Sequence, residues 1–353
     1  MSHETRVLFI LKRRQDYNGD KHSHIGMSTG LYNSASFMND MLNKHGIHSK
    51  IAVVRDNNDI DREVTLHKPK YVIIEALWVV PSKFSVLCKL HPNVKWIIRL
   101  HSEIPFLANE GIAMDWLGDY PAFHNVIIAA NAPRALKDLR FYIKTKYKWT
   151  DDKVERKVIY LPNYYPDTYK RKVFDHTKTH IDIGCFGAIR PMKNHLTQAI
   201  AAIKFAEAIG KKLRFHINAG RVEQKGDSVL NNLRALFTQL HGTGHELINH
   251  GWMPREEFLE VCGKMDIGMQ VSLSETFNIV AADLMSQGVP VIGSNEIPWM
   301  FKFFTAKPTD TESIFKKLRV THCFSDINVS INQRLLHIYT NKTSKIWKAY
   351  FKK

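Results

Sequence analysis

The sequence predicts an α/β protein of two Rossmann-like domains, and three observations carry that expectation. At 353 residues the chain is long for one hydrophobic core and ample for two, with an ordinary hydrophobic content of 44%. An apolar run, a loop, a helical pattern and a second apolar run follow one another near the N-terminus, and the succession restarts past residue 180. Between the halves stands Pro162-Asn163-Tyr164-Tyr165-Pro166, whose prolines stop regular structure and stiffen a connection.

In the first half, Arg6 to Leu11 is a short strand-type run that ends in the basic cluster Lys12, Arg13 and Arg14. A polar loop leads through Gly26 and Gly30 into a helical pattern, Leu31 to Leu42, and then to a second strand, Ile51 to Val54. Gly26 and Gly30 let backbone approach a ligand, although their spacing is not the dinucleotide fingerprint. Tyr71 to Glu75 and Val94 to Leu100 are further buried-strand candidates around a helical segment, Ser82 to Leu90. The second of these ends at Arg99-Leu100-His101-Ser102-Glu103. Ligands in open α/β sheets gather outside the carboxyl ends of strands, so His101 becomes a candidate for the chemistry and Glu103 a candidate for contacting the acceptor. After the strand Val126 to Ala130, a helix over Pro133 to Lys148 interleaves aromatic and basic residues, among them Lys144, Lys146 and Lys148. Such a pattern fits stacking on bases and contact with phosphates; it equally fits the buried and solvated faces of one amphipathic helix. Val158 to Leu161 closes the half.

The second half opens with the strand Ile181 to Phe186, then Gly187-Ala188-Ile189-Arg190-Pro191-Met192-Lys193-Asn194 and a helix from about His195 to Ile209. A glycine turn, two cations and a helix start make an anion site from N–H groups, dipole and side-chain charge together. A strand over Leu213 to Ala219, a helix over Ser228 to Leu240 and a short strand over Leu247 to His250 precede Gly251-Trp252-Met253-Pro254. A helix, Arg255 to Cys262, and a strand, Asp266 to Gln270, deliver the stretch Ser272 to Ser294, which reads as loop, helix from about Ile279, and strand over Val289 to Ile292. Gly288 suits the position past that helix, where the left-handed conformation costs any other residue a Cβ penalty. Glu275 and Asp283 lie eight residues apart, which in one helix would separate them by roughly 80°. Glu275 therefore belongs to the loop and Asp283 to the first turns, and both can face one ligand lying across the helix start. The N–H groups at Thr276, Phe277 and Asn278 favour an anion there; an ordinary amphipathic helix with solvated acids is the plain alternative. The chain ends in a helix from about Gln333 to Lys353, with Leu335, Leu336, Ile346, Trp347 and Tyr350 as its apolar stripe.

Composition narrows the class. No apolar run approaches the roughly 18 residues that cross a bilayer, and Met1 to Thr5 is polar, so a cytoplasmic protein is expected. Cys88, Cys185, Cys262 and Cys323 are scattered beside apolar residues and read as reduced core thiols rather than disulfides or zinc ligands. A net charge of +16 gathers polyanions; nucleic acid and an anionic membrane surface are the two partners it fits, and plain solubility is the third explanation.

The stretch with Glu275, seven residues, Asp283 and Gly288-Val289-Pro290-Val291-Ile292 resembles the donor signature of GT-B glycosyltransferases of the family 4 kind. The order of matches from Leu161 to Ser294 strengthens it: Pro162-Asn163 at the domain junction, the Arg190 and Lys193 pair, then the two acids. That resemblance implies GT-B architecture, two Rossmann-like domains facing an interdomain cleft, with a C-terminal helix crossing back to the first domain. It implies an acceptor domain over 1–163, a donor domain over 164–332 and a terminal helix over 333–353. By the same resemblance Arg190 and Lys193 would hold the donor diphosphate, Glu275 would contact the sugar with His101 near it, and Asp283 would contact the ribose. Gly26 and Gly187 would line the donor site, and backbone around Trp252 and Met253 would meet the base.

The expected activity is a retaining transfer of a sugar from a nucleoside diphosphate, UDP foremost, to a hydroxyl, with no cofactor, dedicated base or metal required. The N-terminal stretch around Lys12, Arg13 and Arg14 looks similar to glycosyltransferases of tailed bacteriophages, some of which decorate hydroxymethylated bases. A monomer acting on modified phage duplex DNA in the cytoplasm of an infected host is therefore the favoured expectation. A lipid-linked or surface-glycan acceptor is the alternative, and a non-catalytic nucleic-acid-binding protein with the same fold is a reading from another class.

Overall fold

The computed structural model describes residues 5–13, 30–173, 175 and 177–352; Arg14 and Gly26 fall outside them. The chain divides into two compact units, one of residues 1–166 with 340–353 and the other of residues 167–339.

The first unit is a six-stranded parallel sheet in the order β2-β1-β3-β4-β5-β6. Its strands are β1 (Val7–Lys12), β2 (Ser49–Val54), β3 (Tyr71–Glu75), β4 (Lys95–Leu100), β5 (Val126–Ala130) and β6 (Val158–Tyr160). Their continuous apolar runs follow from burial on both faces. Leu8, Ile10, Val72, Ile74, Trp96 and Ile98 enter one core cluster, while the alternating Val7, Phe9, Leu11, Ile73 and Ile97 enter another. Trp347 and Phe351, from the end of the chain, are fully buried in the second of these clusters.

The second unit repeats the plan in the order β12-β11-β10-β7-β8-β9, again parallel throughout. These strands are β7 (His180–Gly184), β8 (Lys212–Ile217), β9 (Glu246–Asn249), β10 (Ile267–Gln270), β11 (Val291–Ser294) and β12 (Thr305–Ala306). One face packs Ile181, Ile183, Leu213, Phe215 and Ile217 against the helices His195–Ala208 and Gly226–Gln239.

Several sequence expectations are corrected here. The last helix begins at Ser325, not Gln333, and runs unbroken to Phe351. Its polar start hid it: Asn328 looks like loop but turns its amide inward, accepting from Val291 N at 3.0 Å and donating to Val291 O at 3.0 Å. Trp347 and Tyr350 of the expected stripe pack in the first unit, whereas Leu336 falls in the second. The helix Asp59–His67 was not foreseen, because only Ile60 and Val64 of its nine residues are buried. Cys88, Cys185 and Cys262 are buried thiols, with burial pushing Cys88 up to about 11 and Cys185 to about 12, but Cys323 is exposed at the end of the helix Thr311–Cys323. No helix among the described residues is long and apolar enough to cross a membrane.

Gly288 ends the helix Ile279–Ser286 with φ of +76°, and a Cβ there would lie 2.8 Å from Lys170 O and 2.9 Å from Lys172 N. Gly288→Ala therefore adds a strained backbone and a backbone clash together. We expect a loss of about 1–3 kcal/mol, read as a lowered urea midpoint with an unchanged m-value.

Candidate functional site

Each parallel sheet brings its strands' carboxyl ends to one edge, and in both units some of the charged side chains singled out by sequence lie there.

In the second unit the turn after β7 passes through Gly187 at φ of +117°, with Gly187 N donating to Asn218 Oδ1 at 2.7 Å. Arg190 is extended, Pro191–Lys193 forms one 3₁₀ turn, and Asn194 at φ of 59° feeds the helix His195–Ala208. Two amides bind this loop to the one after β10. Asn194 Nδ2 donates to Val271 O (3.1 Å) and Pro308 O (2.6 Å); Gln198 receives Val271 N at 2.8 Å and donates to Lys193 O at 2.8 Å. The two loops are thereby held together, and the Lys193 ammonium forms a salt bridge with the Glu275 carboxylate. Both side chains are about nine-tenths buried, at 11% and 10% exposure. His195, beside them, stays neutral: burial, then Lys193 and Arg190, press its pKa down to about 3.

Around that pair, Arg190 Nη1 lies 3.5 Å from Glu223 Oε2, and Arg221 Nε donates to Glu223 Oε1 at 2.7 Å. Arg221 also stands 5.8 Å from the Trp252 ring, and Gly220 lets the segment approach, since a Cβ would be 2.9 Å from Trp252 N. Trp252 and Met253 are half-buried. Phe277 is a core residue against Trp299 and Tyr339, with its carbonyl accepting Trp299 Nε1 at 2.8 Å. Asn278 caps the helix Ile279–Ser286 by accepting Ala281 N at 2.8 Å, and donates to Gln270 Oε1 at 2.9 Å. Thr276, Phe277 and Asn278 thus form the turn at the helix start with side chains packed inward. Asp283 Oδ1 accepts from Arg255 Nη2 at 2.7 Å, and the carboxylate is 3% exposed.

In the first unit the corresponding edge holds a buried charge cluster. Arg99 is fully buried, and its Nη1 donates to both Glu75 oxygens at 3.1 Å. Its Nη2 reaches Asn163 Oδ1 at 2.6 Å, its Nε reaches Leu161 O at 3.2 Å, and its Cζ lies 5.1 Å from the Trp347 ring. His101 Nε2 hydrogen-bonds to Glu75 Oε2. Burial alone would raise the Glu75 pKa, but Arg99 and His101 outweigh it and hold the carboxyl ionised; burial and then Arg99 lower that of His101 against Glu75. Glu103, next along, is buried and pairs with Arg134 at 3.3 Å.

The sequence-nominated cations of this unit do not join that cluster. Lys12 and Arg13 are exposed at the end of β1. Lys144 pairs with Asp151 (2.8 Å), Lys146 with Asp119 (2.9 Å), and Lys148 is the left-handed cap of the helix Pro133–Tyr147. Tyr142, Tyr147 and Trp149 pack on the core, while Phe141 is 73% exposed.

Sequence reading missed Glu75 as a partner of Arg99 and His101, Glu223 as the carboxylate shared by two arginines, and the amides Gln198 and Gln270. For the first a signal was present: Glu75 and Arg99 are charges inside apolar strand runs, and β3 and β4 pair them directly. For the others the contacts are far apart in sequence: Glu223 meets Arg190 33 positions away, Gln198 meets Val271 73 away, and Gln270 meets Phe186 84 away.

No protein-family model and no curated protein match the sequence. Solved structures do. An α,α-trehalose-phosphate synthase (UDP-forming) from Burkholderia vietnamiensis superposes with a TM-score of 0.71 at 12% identity, covering 99% of this chain and 96% of that one. The sucrose-phosphate synthase of Thermosynechococcus elongatus gives 0.67 at 14%, covering 98% of both chains. The fold is GT-B. Anabaena Alr3699/HepE, solved in complex with UDP and glucose, gives 0.63 at 11% over 97% of both chains. At these identities the likeness is one of GT-B fold, and the residues at each sheet edge are this chain's own.

Removing one member of a fully buried ion pair leaves the other uncompensated. Glu75→Gln should therefore cost about 3–5 kcal/mol of unfolding free energy. Chemical denaturation monitored by tryptophan fluorescence checks it; a loss below about 1 kcal/mol, the range of an exposed pair, would refute the buried geometry.

Proposed function

We propose that the chain is a retaining glycosyltransferase that transfers a sugar from a nucleoside diphosphate, UDP foremost, to an acceptor hydroxyl. The observation that carries this reading is the Lys193–Glu275 pair at the carboxyl edge of the second sheet, with Arg190 in the same loop. Its support from comparison is that the Burkholderia relative in fold is described as UDP-forming and the Anabaena one holds UDP and glucose. The Glu275-to-Asp283 spacing is the reason to group the chemistry with that of family 4 enzymes.

When the bond between the anomeric carbon and the phosphate oxygen breaks, negative charge grows on the leaving diphosphate and positive charge on the sugar ring. Lys193 and Arg190 answer the first without reorganising, a contribution on the order of 3 kcal/mol for each preorganised donor. Glu275 orients the sugar and faces its developing charge. The acceptor hydroxyl attacks the anomeric carbon from the face that the diphosphate leaves, and its proton passes to the departing phosphate oxygen. Neither a further base nor a metal ion takes part in this sequence.

For the acceptor, the net charge of +16 supports an anionic substrate, and a hydroxymethylated pyrimidine in duplex DNA is the acceptor we propose. A phosphorylated sugar is the second reading, favoured by the names of the Burkholderia and Thermosynechococcus proteins.

The test is incubation with nucleotide-sugars, alone and with 5-hydroxymethylated duplex DNA or hexose phosphates, following nucleoside diphosphate release and acceptor mass. Sugar-sized gain on the base supports the DNA acceptor; gain on the hexose phosphate supports the second reading; no release from any donor refutes the enzyme. Lys193→Ala and Glu275→Ala should each lower kcat by roughly 100- to 1000-fold. Excess EDTA should leave the rate of the parent protein unchanged.

A further inference from the structure

The segment Arg221 to Gly226 has no part in the mechanism above, yet the chain takes an unusual path to place it. Ile189 and Val222 form an isolated parallel bridge, with Ile189 N donating to Arg221 O (2.9 Å) and Glu223 N donating to Ile189 O (2.9 Å). The segment is thus laid directly along the loop that carries Arg190 and Lys193. To turn away again it holds two successive non-glycine residues in the left-handed region, Gln224 at φ of 49° and Lys225 at 66°. Gly226 follows under a steric constraint: a Cβ there would sit 2.0 Å from Ile189 O. Backbone conformations of this kind persist where the surroundings over-determine them, and they concentrate at ligand sites.

What that path delivers is a carboxylate, Glu223, between two guanidinium groups, Arg190 and Arg221. All three side chains are mostly buried, at 15%, 23% and 16% exposure respectively. Two guanidiniums converging on one pair of carboxylate oxygens are arranged as they would be on two oxygens of a phosphate, because the fork of N–H donors matches both anions. Arg221 also lies at the Trp252 ring, so its charge stands between an aromatic surface and the Arg190–Lys193 loop. A nucleoside diphosphate presents its parts in the same direction: flat base, ribose, first phosphate, second phosphate.

We infer that Arg221 is a further donor-binding residue that takes the base-proximal phosphate of a pyrimidine nucleotide. Glu223 is a positioning residue that holds Arg221 and Arg190 in the anion-binding arrangement. The inference rests on the donor reading above and adds a residue and a division of labour to it. Arg221 serves the first phosphate and Arg190 the second, so the two should be separable by ligands that differ in phosphate number.

The experiment is isothermal titration of the full chain and of Arg221→Gln, Arg221→Lys and Arg190→Gln with uridine, UMP and UDP. Each protein's thermal midpoint without ligand serves as the folding control. Losing a charge-assisted contact of this type weakens binding by roughly 10- to 150-fold. Arg221→Gln should show that loss for UMP and UDP alike, with uridine unchanged. Arg221→Lys, which keeps the charge, should recover most of it. Arg190→Gln should weaken UDP more than UMP. Unchanged UMP and UDP affinity in a folded Arg221→Gln protein would overturn the assignment and leave the donor reading standing. Absence of nucleotide binding by the parent protein would overturn both.

Discussion

Parallel pairing is the constraint from which the rest of this molecule follows. With all strands of a sheet pointing one way, their carboxyl ends share one edge, and loops from distant parts of the sequence are brought side by side. β7 and β10 are neighbours in the second sheet, so the loop ending at Lys193 and the loop containing Glu275 meet. β3 and β4 are neighbours in the first, so Glu75 meets Arg99 and His101. Neither meeting requires a binding partner, only register.

Charge at these edges is buried in compensated groups. Arg99 is satisfied by a carboxylate, an amide oxygen and backbone carbonyls, and stacks near Trp347. Such a cluster is weak evidence of stability in itself, since burying the charges costs about what their attraction returns. What it supplies is a unique arrangement: an ionised Glu75 determines which way the His101 ring hydrogen-bonds. On the other edge, Lys193 with Glu275 and the two arginines with Glu223 leave these loops cationic by one charge across five groups, with His195 held neutral beside them. Each of these charges thus has an opposite charge beside it, while one positive charge remains over.

Side-chain amides do much of the local assembly. Asn194 and Gln198 bind the Lys193 loop to Val271, Asn278 and Gln270 bind the helix start to Phe186 O, and Asn328 binds the terminal helix to β11. Amides carry donor and acceptor at once without a charge to desolvate, which suits them to closing loops over a sheet edge. It also makes them inconspicuous. Asn278 drew notice as a ligand contact, whereas its side chain shapes the turn; Asp283 was expected at a ligand, and its carboxylate holds Arg255.

By itself the sequence determined the two-domain α/β plan, nearly every strand, the break at Pro162 to Pro166, and the residues of the glycine turn, the cation pair and the acids. These are local signals, because apolar run length, proline geometry and a glycine's positive φ are properties of a few consecutive residues. Only the tertiary structure decided which charges meet. Lys144 and Lys146, a polyanion surface on paper, are paired with Asp151 and Asp119. Glu223, unremarkable on paper, lies between two arginines. The physical reason is that Coulomb attraction and desolvation depend on distance and burial in three dimensions, whereas sequence spacing fixes proximity only within a turn of helix or a step of strand.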